Sequence, residues 1–458
     1  MIQAVFRKEF GAQVSARDLF DWHQRPGAFE RLVAPWEDVR VSGLPRALHN
    51  GLRLNISVPL GPVRLSWCSV ISDVNPEAGF KDVQGGGPFA FWEHRHLISE
   101  GTQGALLEDS IQYRLPFGFL GQALAGGMVR RRLQQMFAYR HQVTEQDLRL
   151  HAAHQEKKRM DVLITGASGM VGRSLEALLT TGGHRVRRLV RGAPRGPLEF
   201  AWNARTGAID PQAVEGSDAV IHLAGESIAS GRWTRARKGR VLDSRVLGTR
   251  HIANAIRDAR NKPRTFLCAS AIGIYGAQSV GLKDEAGEQG DDFLARVCKQ
   301  WEREALMLAE ARVVRLRFGV ILSSAGGALK QMLPPFRMGL GGPLGNGQQW
   351  MSWIALDDAV AAIYHALMTE SVEGAVNVVT PNPVSNREFT KVLGKVLGRP
   401  TVLPLPAPAV RLLLGEMGEA LLLGGQQVEP RALRESGFLF TYPELEGALR
   451  HQLGRPAS

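Results

Sequence analysis

The run Val162-Leu-Ile-Thr-Gly-Ala-Ser-Gly-Met-Val-Gly172 constrains this chain more than any other stretch. Val162 to Thr165, apolar or β-branched throughout, make a short buried strand. Gly166, Gly169 and Gly172 follow at intervals of three, and an apolar helical face opens with Val171, Leu175, Leu178 and Leu179. In such a strand–turn–helix unit the first glycine permits the sharp turn and the second lets backbone approach a pyrophosphate. The third lets helix and strand pack closely, and the unpaired N–H groups at the helix start attract the anion. The pattern predicts a dinucleotide held by Thr165, Gly166, Ser168, Gly169, Met170, Val171 and Gly172. A tight turn that binds nothing can share the glycine spacing, but here both flanks match as well. The motif lies about a third of the way along the chain, not at its start.

With 458 residues the chain exceeds one ordinary core, so two or three domains are expected. A hydrophobic content of 44% and a charged content of 22% describe a globular protein and exclude a disordered one. No apolar run approaches the roughly 20 residues of a membrane span. Arg7, Lys8 and Glu9 interrupt the first ten residues, where a signal peptide would be apolar, so export is not expected. Cys68, Cys268 and Cys298 are too few and too scattered for a disulfide framework or a metal cluster, which fits the cytoplasm. The net charge of +12 comes from dispersed basic residues without interleaved aromatics. That excludes a nucleic-acid surface and fits attraction for phosphate-bearing small molecules.

Residues 1–150 read as antiparallel sheet. Val39-Arg-Val41, Leu52 to Val58 and Val63 to Trp67 alternate and are broken by Gly and Pro. A helix from about Gly121 to Tyr139 follows, with Leu124, Met128, Leu133, Met136 and Phe137 on its apolar side. The polar stretch 151–159 reads as a linker. Beyond it, strands at Val186–Val190, Ala219–Ala224, Thr265–Ser270 and Val313–Phe318 alternate with helices. This predicts a doubly wound parallel α/β sheet over 160–395. From about Pro334 the rhythm loosens, and 396–458 is expected to form a small C-terminal lobe.

The second strand of the α/β part ends at Arg191, about 25 residues past Gly166. NAD-selective folds place Asp or Glu there for the ribose 2′-hydroxyl, whereas Arg accommodates a 2′-phosphate, so NADP(H) is favoured over NAD(H). Arg195 and Ser168 are positioned to assist. Leu223, Ala224, Gly225 and Glu226 follow the next strand and should line the cleft at the strand carboxyl ends. Ser270 lies on the same edge, followed by Ile274-Tyr275-Gly276.

Thr165–Gly172, His222-Leu-Ala-Gly225, Ser270 with Tyr275-Gly276, Arg315–Gly319 and Trp353–Asp358 together resemble the extended short-chain dehydrogenase/reductase superfamily. More narrowly, His222 to Ile228, Arg232-Trp-Thr234 and Ser244-Arg-Val246 resemble its atypical epimerase-like branch. Val428 to Leu449 is similar to the C-terminal domain of unknown function found on that branch. The resemblance implies a Rossmann-type sheet, a nicotinamide dinucleotide and a small-molecule substrate. Residues 1–150, through Trp22–Ala28, Pro35-Trp36 and Gly87–His96, are similar to a START-like (SRPBCC) domain. That likeness implies a curved sheet around a long helix, enclosing an apolar ligand.

The chain departs from the superfamily in its chemistry. Catalytic members carry Tyr-x-x-x-Lys, in which Lys lowers the Tyr pKa and holds the nicotinamide ribose. Four positions after the tyrosines at 113, 139, 275, 364 and 442 stand Phe117, Val143, Ser279, Met368 and Glu446, and none is Lys. In register, Cys298 falls on the Tyr position and Glu302 on the Lys position. A glutamate one turn away should raise the Cys298 pKa. Lys299 lies about 100° around the helix and is no substitute. Candidates for the missing acid/base are Ser270, Tyr275, Cys298 and Glu302, with Glu226 behind them; for Cys298, core packing is an equal reading.

His94 and His96 share one strand face, but no third ligand is evident, and no metal site is assigned. Gly341–Gly347 reads as a mobile loop near the substrate, Trp350 and Trp353 as substrate or core residues, and Asp357 and Asp358 as helix caps. The expected function is an NADP(H)-dependent oxidoreductase or epimerase with a non-standard proton donor. The alternative is a non-catalytic NADP sensor or apolar-ligand carrier, which the missing Tyr–Lys pair favours. The sequence does not fix the oligomeric state and admits a homo-oligomer.

Overall fold

Period-two burial along Phe91–Gly101 puts Trp92, His94, His96 and Ile98 on an inner face and turns Arg95 and Leu97 outward. Six further strands join it in a seven-stranded antiparallel sheet. Its order is Ala4–Ala12, Gly104–Arg114, Phe91–Gly101, Gly79–Gly86, Val63–Asn75, Arg53–Leu60 and Arg40–Ser42. The computed structural model of the chain describes residues 3–42, 47–61, 63–229 and 231–455, so Met1 and Ile2 of the N-terminal stretch lie outside it.

The helix against this sheet is longer than its sequence suggested, Gly118–Ala152. Leu133, Phe137 and Val143 are buried on it, and the Phe137 ring meets Phe6 at 5.4 Å between centroids. Leu124 and Met128, expected on the apolar side, are 87% and 62% exposed. The helix also runs two residues into the expected linker. His151 is buried, with Nε2 3.1 Å from the Leu178 carbonyl, and Lys157 donates to the Met368 carbonyl at 2.5 Å. The connection is therefore a packed seam, not a free tether.

That seam places the N-terminal domain against the helix that follows the glycine loop. Gly27 has φ +91°, and a Cβ there would fall 2.4 Å from Thr180 Oγ1 and 2.6 Å from the Ala177 carbonyl. Arg31, 4% exposed, donates to Asp147 at 2.9 and 2.7 Å and to Asp357 at 3.1 Å. Asp357 also accepts from Gln452 at 2.9 Å, so its carboxylate ties all three parts of the chain together. This corrects the reading of Asp357 and Asp358 as caps. Helix Leu356–Met368 has Ala355 at its N-cap, and both aspartates are buried. Asp358 accepts from the backbone N–H of Thr441 and Tyr442 at 2.9 and 2.8 Å.

Strands buried on both faces read as continuous apolar runs, as Asp161–Thr165, Ala219–His222 and Thr265–Ala271 do at the centre of a wholly parallel seven-stranded sheet. The order is Glu199–Ala201, Arg185–Val190, Asp161–Thr165, Ala219–His222, Thr265–Ala271, Arg312–Phe318 and Gly374–Val378. The strand order reverses between Asp161–Thr165 and Ala219–His222, where a ligand crevice opens at the carboxyl ends. This is a Rossmann-like α/β fold. The sheet continues past Pro334, where the rhythm was expected to loosen: Gly374–Val378 is its seventh strand, and Pro334 and Pro335 lie within helix Gly327–Arg337. Helix Asn386–Leu397 crosses the expected 395/396 boundary, and its Phe389 and Leu393 share a core with Leu445 and Leu449. No helix among the described residues is long and apolar enough to cross a membrane.

Candidate functional site

Strand Asp161–Thr165 delivers the glycine turn to helix Met170–Thr181. Gly166 has φ +73°, and a Cβ there would lie 2.9 Å from the Ala224 nitrogen across the switch point. A Cβ on Gly172 would lie 2.3 Å from the Gly166 carbonyl, so this glycine sets the helix-to-turn packing. A Cβ on Gly169 would meet only that carbonyl, at 3.2 Å, and would otherwise project into open space. Ser168 and Gly169 are exposed, Gly169 caps the helix with no side-chain bond, and the first turn holds no acid. The N–H groups of Met170, Val171 and Gly172 are thus left to an incoming anion. The cradle fits a dinucleotide pyrophosphate.

Thr165 contributes from below. It is fully buried, its Oγ1 is 2.7 Å from His222 Nδ1, and it accepts from the Ala224 N–H at 3.2 Å. The Leu223 N–H donates to the Thr165 carbonyl at 3.2 Å. Glu226 is spent on the helix behind it: its carboxylate accepts from Arg237 at 2.5 Å, its N–H donates to Ser244 at 3.1 Å, and its carbonyl accepts from Arg245 at 3.0 Å. The turn Leu223–Glu226 therefore offers backbone and the Gly225 surface to the crevice, with its acid already neutralised.

Arg191 is exposed just past strand Arg185–Val190 and, among the described residues, its side chain has no hydrogen-bond or ion-pair partner. Arg188 is instead paired with Glu199 at 3.0 Å and Glu176 at 3.5 Å. Arg191, like the exposed Arg195 beyond it, is thus a cation available at that strand end among the described residues, as a 2′-phosphate requires.

Three of the four acid/base candidates, Ser270, Tyr275 and Glu302, come together, but in a closed network. Ser270 Oγ donates to Glu302 Oε1 at 2.8 Å. The same carboxylate accepts from Arg317 at 2.8 and 2.9 Å and from Arg315 at 2.9 Å. Arg317 also donates to the Tyr275 hydroxyl at 2.9 Å, and that hydroxyl donates to Asn377 at 2.7 Å. Burial pushes the Tyr275 phenol up, against the pull of Arg317. Burial, with the Glu302 charge second, pushes the Cys298 thiol up to about 12. Cys298 is buried and packs with Ile272, Ile274 and Val379, as the core-packing reading expects. The arrangement couples two hydroxyls through a carboxylate and a guanidinium, so a proton change at either is felt by the other.

Sequence reasoning missed Arg315, Arg317 and Asn377 as partners in this network. The available signal was Arg315-Leu-Arg317 inside a strand otherwise buried on both faces, where two cations require an acid. In the loop Gly341–Gly347, Leu344 N–H donates to Asn386 at 2.8 Å and Gly345 N–H to the Leu405 carbonyl at 2.9 Å. Trp353 is fully buried and Trp350 is 40% exposed.

The sequence model of the NAD dependent epimerase/dehydratase family matches residues 162–293, and that of a domain of unknown function matches 405–452. An epimerase family protein of Mycobacterium bovis is 42% identical over 297 residues, covering 64% of this chain and 98% of the relative. Among solved structures, a nucleoside-diphosphate sugar epimerase from Corynebacterium glutamicum superposes with a TM-score of 0.80. Its sequence identity is 31%, and the match covers 98% of this chain and 90% of that one. A human epimerase family protein solved with NADPH is 34% identical, with a TM-score of 0.59 over 64% of this chain and 99% of that one.

Proposed function

The chain belongs to the epimerase family, and from that premise we propose that it binds NADP(H) and acts as an oxidoreductase or epimerase on a small molecule in the cytoplasm. The carrying observation is the uncapped glycine cradle at Gly166–Gly172 beside an unpartnered Arg191. Backbone N–H groups of Met170 to Gly172 bind the pyrophosphate, and Arg191 pairs with the 2′-phosphate. The solved human relative, crystallised with NADPH, supports the same choice. When bound, the nicotinamide supplies or accepts hydride. Ser270 and Tyr275 hold the exchangeable proton at the carboxyl edge of the sheet, and Glu302 with Arg317 fixes their orientation.

The N-terminal domain, residues 1–150, is in this reading a START-like module for an apolar ligand. A cavity of about 450 Å³ between its sheet and long helix supports it. A second reading, NADP binding without turnover, is favoured by the burial of Ser270 and Tyr275, 3% and 2% exposed. Hydride transfer across a panel of carbonyl compounds and nucleotide sugars separates the two. Turnover that disappears in Ser270→Ala and Tyr275→Phe supports the enzyme. Tight NADPH binding with no turnover on any panel member supports the second reading.

A further inference from the structure

The N-terminal cavity is walled by Leu54, Ile56, Trp67, Phe80 and Trp92, yet one part of its wall is polar. Strand pairing sets Asp82 opposite His94, and the period of two puts His96 on the same face. This supplies the third group that the sequence alone did not reveal. His94 Nδ1 lies 3.0 Å and His96 Nε2 3.7 Å from Asp82 Oδ2, and one donor atom from each residue falls within 4.8 Å of the others.

Behind them stands a second carboxylate. Asp109, 2% exposed on the next strand, has Oδ1 3.0 Å from His94 Nε2 and 2.8 Å from His96 Nδ1. Its Oδ2 lies 2.8 Å from His141 Nε2 on the long helix. Each of the paired histidines thus turns one ring nitrogen toward Asp82 and the other toward Asp109. The His96 ring is buried, and its Nδ1, although close to Asp109, lies off the line of a hydrogen bond.

We propose that Asp82, His94 and His96 form a mononuclear site for a divalent transition metal, with its open coordination position facing the apolar cavity. Two imidazoles and one carboxylate suit zinc or ferrous iron, whereas magnesium and calcium take oxygen donors. The 3.0 and 3.7 Å separations bracket the roughly 3.3 Å edge expected of a tetrahedron with ligands about 2.0–2.1 Å from the ion. Asp109 supplies the outer carboxylate: it is hydrogen-bonded to His94 Nε2 and lies 2.8 Å from His96 Nδ1. Asp82 and Asp109 bring two carboxylates to this buried setting, which Arg140 also faces. The proposal is independent of NADP(H) binding in the other domain.

The test uses the full-length, untagged chain after chelator treatment and desalting, titrated with Co²⁺ by visible absorption and with Zn²⁺ by calorimetry. One equivalent of each should bind, Co²⁺ with a d–d band and Zn²⁺ with a raised unfolding midpoint. Asp82→Asn and His96→Gln should each abolish the d–d band, and Asp109→Asn, which removes no ligand, should weaken binding about 10- to 100-fold. Circular dichroism and NADPH affinity report whether the variants fold. If a variant does not fold, the wild-type midpoint decides: a saturable one-equivalent rise with Zn²⁺ supports the site, and its absence overturns it. A cobalt band that persists in the Asp82→Asn/His96→Gln double variant also overturns it.

Discussion

Replacing Glu302 by Gln tests whether the Glu302–Arg317–Arg315 network carries a buried charge. Glu302 is 4% exposed and accepts from three guanidinium N–H groups and from Ser270. Glutamine can keep the acceptor that faces Ser270 and Arg317 Nε. Its amide NH₂ then confronts the donors of Arg317 Nη2 and Arg315 Nη1, and both guanidinium charges lose their counter-ion. Removing one member of a buried pair costs about 3–5 kcal/mol. The Arg315 side chain is 18% exposed and can recover some hydration, so the lower end, about 3 kcal/mol, is expected. That is a large share of a stability of about 5–15 kcal/mol. Urea unfolding followed by tryptophan fluorescence measures it, with the slope checked for unchanged cooperativity. Adding Arg317→Met in the Glu302→Gln background should restore part of the loss, because an unpaired buried cation is then removed. A loss below about 1 kcal/mol, the scale of an exposed pair, would refute the reasoning.

The two glycine neighbours should separate packing from binding. Gly172→Ala should cost about 1–3 kcal/mol and weaken NADPH binding, because its methyl meets the Gly166 carbonyl. Gly169→Ala, at φ −74° and facing open space, should keep its unfolding midpoint while losing NADPH affinity in a fluorescence titration. Arg31→Met leaves Asp147 without its counter-ion while Asp357 keeps His451 and Gln452, so limited proteolysis should cut the 153–160 seam faster, with a stability loss of about 3 kcal/mol. Burial holds the His222 pKa down at about 4 from its ordinary 6.5. The unfolded chain therefore takes up this proton first, and stability falls as pH drops from 6.5 toward 4, by roughly 3 kcal/mol from this group. His222→Asn should flatten that slope by about one proton in unfolding midpoints measured across the window.

Much of the cofactor half was legible because its signals are local. The strand at 162–165, the three glycines and the helical face of Leu175 and Leu178 sit side by side in sequence, and backbone geometry alone gives them a purpose. The antiparallel character of the first domain was legible from period-two alternation for the same reason. What was not legible depends on groups that meet only after folding. Glu302 read as a carboxylate in place of a lysine, but its partners Arg315 and Arg317 come from a neighbouring strand. Asp357 and Asp358 look like caps because they open a helix, and only the arrival of Arg31, more than 300 residues earlier, makes Asp357 an interdomain counter-ion. The partner of His94 and His96 was hidden because Asp82 lies on a different strand, and strand register decides which residues face one another.

The central claim is that the cradle at Gly166–Gly172, with Arg191 beside it, selects NADP(H). Titration of the wild-type chain and Arg191→Asp with NADPH and with NADH, at one fixed salt concentration, tests it most directly. An Arg–phosphate bond of about 1.5–3 kcal/mol implies that the wild type binds NADPH about 10- to 100-fold more tightly than NADH, and that Arg191→Asp abolishes or reverses the preference. Tighter binding of NADH by the wild type, or a preference left unchanged in Arg191→Asp, would contradict the account.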